Sequence, residues 1–389
     1  MTDQAPQPAP PRSPAALREL AALFGRLGLT AFGGPAVHIA MMEEEVVRRR
    51  QWMTHARFLD LVSATNLIPG PNSTEMAIHI GYDRAGWRGL AVAGGCFILP
   101  AVVIVSAIAW VYVRAGALPE LTGAMYGIKP VVIAVAIQAL WGLGKAAVKT
   151  PYLAIIAAAA VAASLAGVNE LVVLAAAGGV VAAGRRVRGG ATVALLPWPV
   201  LGASVTATSV TATSFGLWPL FLFFLKVGSV LFGSGYVLLA FLRADLVERL
   251  HWLTESQLLD AVAVGQVTPG PVFTTATFIG YLLGGAPAAG VATVGIFLPA
   301  FAFVALSGPL VSRIRSSKTA GAVLDGVNAG SLALMGVVTL QLGRTAIIDI
   351  PTALLAATSA IVLLRFRLNS AWLVLAGGLV GTALSHAPW

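Results

Sequence analysis

The sequence predicts an all-α polytopic membrane protein made of two homologous, inverted-topology halves. Each half should hold about five transmembrane spans and one broken or re-entrant Pro-Gly-Pro helix. Three observations carry that prediction. Residues 89–113 and 151–169 are uncharged runs long enough to cross a bilayer as helix, and residues 261–312 hold 52 positions without a charge. A shift of 200 lays residues 24–71 on 224–271 without a gap, with 16 of 48 positions identical. The same shift superposes two Pro-Gly-Pro triplets, at 69–71 and 269–271, each inside a hydrophobic stretch.

Composition narrows the class further. The 389 residues are 58% hydrophobic and 11% charged, with a mean hydropathy of +0.86, too little charge for the surface of a soluble fold this long. Continuous rather than alternating apolar runs argue against a β-barrel. The net charge of +9 does not point to nucleic acid: 20 of the 25 basic residues are Arg, in short clusters beside apolar runs, where they meet lipid headgroups. Cys96 stands alone in an apolar run, which excludes disulfides and Cys-ligated metals. His38, His55 and His251 lack metal-ligand spacing, so neither a metal nor a cofactor is expected.

In chain order, residues 1–14 (MTDQAPQPAPPRSP) read as a disordered tail without the apolar core of a signal peptide. The first repeat, 15–188, offers hydrophobic segments near 17–40, 58–82, 89–113, 122–144, 151–167 and 170–184. A Ser/Thr/Ala/Pro-rich linker, 189–215, leads to the second repeat, 216–389. Beyond the triplets the offset becomes 199, pairing Gly81 with Gly280, Pro100 with Pro299 and Gly127 with Gly326. The segment near 58–82, which holds Pro-Gly-Pro and several polar residues, reads as a broken or re-entrant element and leaves five crossings per half; which of the first two segments of each half is the re-entrant one stays open.

Basic residues sort the loops. Sixteen fall on the side of 48–57, 84–88, 145–149, 185–188, 313–318 and 365–367, and six on the other. The basic side should be cytoplasmic. Equivalent loops of the two halves land on opposite sides, as inverted repeats require.

Proline removes a backbone donor and disfavours helix before it, so two prolines around a glycine end one half-helix and let another begin. At membrane depth the freed groups are costly unless protein or substrate satisfies them. The breaks at Pro69, Gly70 and Pro71 and at Pro269, Gly270 and Pro271 therefore present helix N-termini, which favour anions. Asn72, Ser73 and Thr74 add side-chain donors at the first, and Thr274 and Thr275 at the second. Paired broken helices in inverted halves point to a transporter's midplane site. Gly33 and Gly34, with Gly233 in the second half, mark further breaks that either serve close helix packing or expose a second pair of amides.

Three cations fall within apolar segments: Arg26, its repeat partner Lys226, and Lys129. Buried near the two N-termini they suit a divalent oxyanion; alternatively Arg26 and Lys226 snorkel to an interface. Asp60 and Asp260 are repeat partners, and Glu75 and His79 share a helical face. These four are coupling or gating candidates, although Glu75 is also placed to pair with Arg26 or Lys129.

Two stretches carry a family resemblance. FGGPAVHIAMMEEEVVRRRQWMTHARFLDLVSATNLIPGPNSTEMAIHIGY and FLKVGSVLFGSGYVLLAFLRADLVERLHWLTESQLLDAVAVGQVTPGPVFTTATFIGY resemble the two domains of the long-chain chromate ion transporters. The family pattern falls on Gly33, Gly34, Trp52, Asn66, Asn72 and both Pro-Gly-Pro triplets. The resemblance implies a multi-pass protein of the bacterial inner membrane that exports chromate and confers chromate resistance, with sulfate a natural analogue. No GxxxxGK[ST] motif is present, so the energy would come from an ion gradient, a counter-anion or the membrane potential. The expected reading is a secondary transporter, not an enzyme, with chromate and membrane lipid as partners, no nucleic acid, and a homodimer as one assembly. Alternatives are a carrier of sulfate or another oxyanion, and an anion channel.

Overall fold

The computed structural model describes residues 13–115, 118–189, 215–231, 237–307, 317–366 and 368–385, and among them the chain is helical with no strand. In the first half α1 (Pro14–Thr30), α2 (Pro35–Glu43), α3 (His55–Thr65), α4 (Asn72–Ala115), α5 (Pro119–Ala147), α6 (Pro151–Leu165) and α7 (Glu170–Gly189) follow one another. In the second, α8 (Leu217–Val230), α9 (Leu238–Leu242), α10 (Glu255–Val267), α11 (Thr275–Ser307), α12 (Lys318–Ala346), α13 (Ile350–Phe366) and α14 (Ser370–Ser385) repeat the order. Four stretches are long and apolar enough to cross a membrane: Asn72–Ala115, Thr122–Ala147, Val272–Leu306 and Thr319–Ala346. Residues 1–12, most of the 189–215 linker, and Gly233 with its neighbours lie outside the described residues.

Local chemistry places the helix starts. Ser13 accepts the Ala16 N–H at the head of α1, and Thr54 and Thr150 cap α3 and α6 in the same way. Thr254, the repeat partner of Thr54, forms a capping box with Gln257. Both α2 and α9 run on into a π-helical turn, Glu44–Arg49 and Arg243–Arg249. Each turn ends at a left-handed non-glycine residue in the same repeat position, Gln51 and His251.

The 72–84 and 87–115 parts of α4 fold back on each other at Ala85-Gly86, so tightly that Gly81 lies against the backbone of Gly89. Gly284-Gly285 makes the same bend in α11, where Gly280 meets Ala288. Arg57 at the head of α3 donates twice to Asp83 at the end of the 72–84 part, at 2.8 Å each. The segment that holds the first Pro-Gly-Pro therefore starts and finishes on one side of the molecule.

Both early segments of the first half are broken. The segment near 17–40 does not continue as a single crossing. It breaks after Thr30, and α2 turns back against α4, so that Arg26 reaches Glu45, just past α2, at 2.7 Å. Glu19 near the start of α1 and Trp52 after α2 both meet Arg84. The Gly-Gly-Pro at 33–35 is the physical cause: Gly33 takes φ +110°, Gly34 caps α2, and Pro35 starts it.

The halves exchange helices. α5 packs on α13 and α14 of the second half, with Gly127 against the backbone of Gly377. α12 packs on α6 and α7 of the first, with Gly326 against Ala177. Small residues let these backbones approach closely. At the centre α4 lies against α11, with α1 packed on α4 and α8 on α11.

Candidate functional site

The four breaks meet in pairs, crosswise. The Gly70 N–H donates to Leu231 O at 2.8 Å, where α8 ends, and the Gly270 N–H donates to Ala31 O at 2.9 Å, where α1 ends. Each Pro-Gly-Pro amide thus satisfies the broken helix of the other half. The packing repeats the pattern: Gly270 sits against Ala101 and Gly28, and Gly70 against Ala300. Glycine is required at both places, since φ is +142° at Gly70 and +90° at Gly270 and a Cβ would collide with a neighbour. Their amides, read from the sequence as free anion donors, are committed to this junction.

What remains open differs between the breaks. At the first, the N–H groups of Asn72 and Ser73 have no acceptor among the described residues, as the opening turn of a helix leaves them. Asn72 donates to Asn66 at 2.9 Å and keeps its own Oδ1 unpaired. Ser73 is buried, and Thr74 Oγ1 and both Glu75 oxygens are buried without a partner among the described residues. The Glu75 carboxyl lies against Gly70, and His79, one turn on, is also buried with Nε2 unpaired.

At the second break the hydroxyls close on their own backbone. Thr274 donates to Pro271 O and Thr275 to Val272 O, both at 2.8 Å. A narrow cleft beside it is lined by Leu238, Leu239, Leu242, Val262 and Val272, with Gln266 and Thr275 as the polar members.

The cations marked by the sequence already hold acids. Arg26 pairs with Glu45, and Lys226 with Asp245, at equivalent positions of the repeat. Glu75 pairs with neither Arg26 nor Lys129. Lys129 instead lies 3.2 Å from Asp260 and donates to Ser256 at 2.6 Å, while the Tyr112 hydroxyl donates to the other Asp260 oxygen at 2.7 Å. This network joins α4 and α5 to α10, and so one half to the other. Asp60, half-buried on α3, is not free either. Of the glycines at the other breaks, Gly33 and Gly34 shape the turn into α2.

Sequence reasoning missed three contributors. Tyr112 lies in an apolar run and Ser256 in the polar first turn of α10, and both reveal themselves only by what they bond. His38 was dismissed for lack of metal spacing; it is buried, with Nε2 3.1 Å from Ala31 O and its ring edge-on to Phe97. The acid–base pairing was visible, because the repeat keeps a cation at 26 and 226 and an acid at 45 and 245.

Long apolar helices around paired backbone breaks define a multi-pass membrane protein of the transporter class. A family model, the chromate transporter, matches residues 18–183 and 218–382, and the chain belongs to that family. It is 34% identical to a chromate transport protein of Cupriavidus metallidurans, covering 95% of this chain and 94% of that one. It is 33% identical to a chromate transport protein of Pseudomonas aeruginosa (98% and 95%), and 25% identical to an uncharacterized transporter of Methanocaldococcus jannaschii (82% and 82%). No solved structure matches the chain.

Proposed function

We propose that the protein is a secondary transporter that exports chromate across the bacterial inner membrane and so confers chromate resistance. The observation that carries the reading is the crosswise bonding of the four breaks, Gly70 to Leu231 and Gly270 to Ala31, in a chain whose two halves both match one transporter family. Chromate, as a dianion, binds at the first break, on the Asn72 and Ser73 amides with the side chains of Asn72, Ser73 and Thr74. A helix N-terminus supplies the partial positive charge. Arg26, Lys226 and Lys129 brace the surrounding helices through their acids. The two repeats, 15–188 and 216–389, rock about this centre to give alternating access. The inside-negative potential favours expelling a dianion by about 2.3 kcal/mol per charge per 100 mV.

The proposed topology is inverted. Contacts that bring segment ends together support it: Glu19, Trp52 and Arg84 in the first half, and Phe215, Trp252 and Gly284 in the second. Each half then contributes two re-entrant hairpins and four crossing helices.

Chromate uptake into inverted vesicles carrying the full chain tests the function, with sulfate as competitor. Saturable uptake that a Pro71→Ala/Pro271→Ala double variant loses supports a carrier built on the breaks. Uptake of sulfate alone would reassign the substrate, and uptake of neither anion would remove the proposal.

A further inference from the structure

We propose that Glu75 binds the proton that decides whether the first break can hold a dianion, so that one proton travels with each anion. This rests on reading that break as the anion site, and it names the coupling ion and the residue that carries it.

The geometry is specific. Glu75 is fully buried with no hydrogen-bond partner for either oxygen among the described residues, and its carboxyl lies against Gly70, the glycine of the break that Asn72 and Ser73 follow in the chain. An ionised carboxyl only accepts hydrogen bonds, whereas the protonated form donates one. A carboxylate at that point repels a dianion strongly in a dry site; a neutral carboxyl offers the oxyanion one more donor. Anion and proton therefore stabilise each other's binding, and that coupling is reciprocal.

A path for the proton is built into the same helix. Glu75, His79 and Asp83 recur every fourth residue on one face, running from the buried break to the end where Asp83 meets Arg57. His79 Nε2 is unpaired along that row. Chains of acids and imidazoles are the usual proton relays of transporters. The second half holds Thr274, Phe278 and Leu282 at the equivalent positions, so the molecule has one such row among its described residues.

The other titratable groups around this helix are engaged elsewhere. On α1, Arg26 is held by Glu45 and Glu19 by Arg84; on α2, His38 Nε2 faces Ala31 O. On α3, Arg57 is held by Asp83 and Asp60 is not free; α11 brings Tyr281 and no charged residue, and at the end of α8 Lys226 holds Asp245. Glu75 and, next along its row, His79 are left to answer the proton, and of the two it is Glu75 whose carboxyl lies against the break.

Inverted vesicles carrying the wild type or Glu75→Gln are given chromate across the neutral pH range, while chromate content and lumenal pH are both read. Chromate itself takes up a proton near neutrality, so each pH is compared between the two proteins, which see the same substrate. Wild-type uptake should acidify the lumen. Relative to Glu75→Gln it should fall about tenfold per pH unit above the pKa of the carboxyl. Glu75→Gln, which keeps a donor but does not ionise, should still take up chromate without that extra acidification. Where Gln prevents insertion, Glu75→Thr serves, with the residue found in the second half. A substituted protein that acidifies the lumen as wild type does, or keeps its pH dependence, overturns the proposal. So does one that inserts normally and moves no chromate, since the carboxylate itself would then be essential. If the wild type moves neither chromate nor sulfate, the anion-site reading fails first and takes this one with it.

Discussion

The two Pro-Gly-Pro breaks share a backbone and differ in chemistry. At both, a glycine with positive φ bonds across to the end of a broken helix in the other half. At the first, Thr74, Glu75 and His79 keep buried polar atoms without partners among the described residues; at the second, Thr274 and Thr275 close on their own carbonyls beside a mostly apolar cleft. Buried polar groups in proteins are as a rule satisfied, and exceptions call for an explanation. The contrast suggests a division of labour to test: both breaks carry the crosswise junction, and the first alone carries the proposed anion site.

The largest effects should fall on what the breaks have in common. Gly70→Ala and Gly270→Ala each meet a collision and a left-handed backbone that costs about 1–3 kcal/mol to impose on another residue. Both should reduce chromate uptake to roughly a tenth or less at equal amounts in the membrane, and to similar extents. Equal losses sharpen the structural equivalence; a large loss at one glycine alone breaks it.

Next comes the network that ties the halves. Lys129→Met leaves Asp260 buried with the Tyr112 hydroxyl alone, and breaking a buried pair in this way costs about 3–5 kcal/mol. The loss should appear as a lowered unfolding temperature in detergent. Asn328→Ala, at the repeat-equivalent position, should cost far less. Equal losses would mean that the network adds nothing specific.

Much of this was legible in the sequence. The repeat located both breaks, and hydropathy located the helices on either side. The crosswise bonding was not legible, because a repeat specifies how each half folds and not which half completes the other. The returning α2 was hidden for a different reason. Residues 17–40 carry enough apolar length for a crossing, and Gly33-Gly34-Pro35 read equally well as a packing feature. Between the two readings of Glu75, coupling group or partner of Arg26 or Lys129, the sequence could not choose, because it does not show that those cations turn to Glu45 and Asp260.

Side chains at the breaks separate the two directly. Thr74→Val removes a donor aimed at the proposed anion; a hydrogen bond to a charged group is worth about 1.5–3 kcal/mol, so KM for chromate should rise about tenfold or more. Thr275→Val removes a hydroxyl already bonded to Val272 O and should change KM less than about threefold. The reverse order would move the ligand to the second break.

The smallest effect is expected where sequence reasoning placed a ligand charge. Arg26 is half exposed and already meets Glu45, which also receives Arg49 and Arg50. A pair this open contributes about 0.2–1 kcal/mol. Arg26→Gln should therefore leave KM for chromate within about twofold, with a small loss of thermal stability. Were Arg26 an anion ligand, KM would rise at least as far as in Thr74→Val, and added Glu45→Gln would not restore it. Were it only a brace, Glu45→Gln alone should reproduce the same small loss, and the double variant should cost less than the two singles added together. Non-additive stability with an unchanged KM would confine the positive charge of the site to the helix N-terminus of the first break.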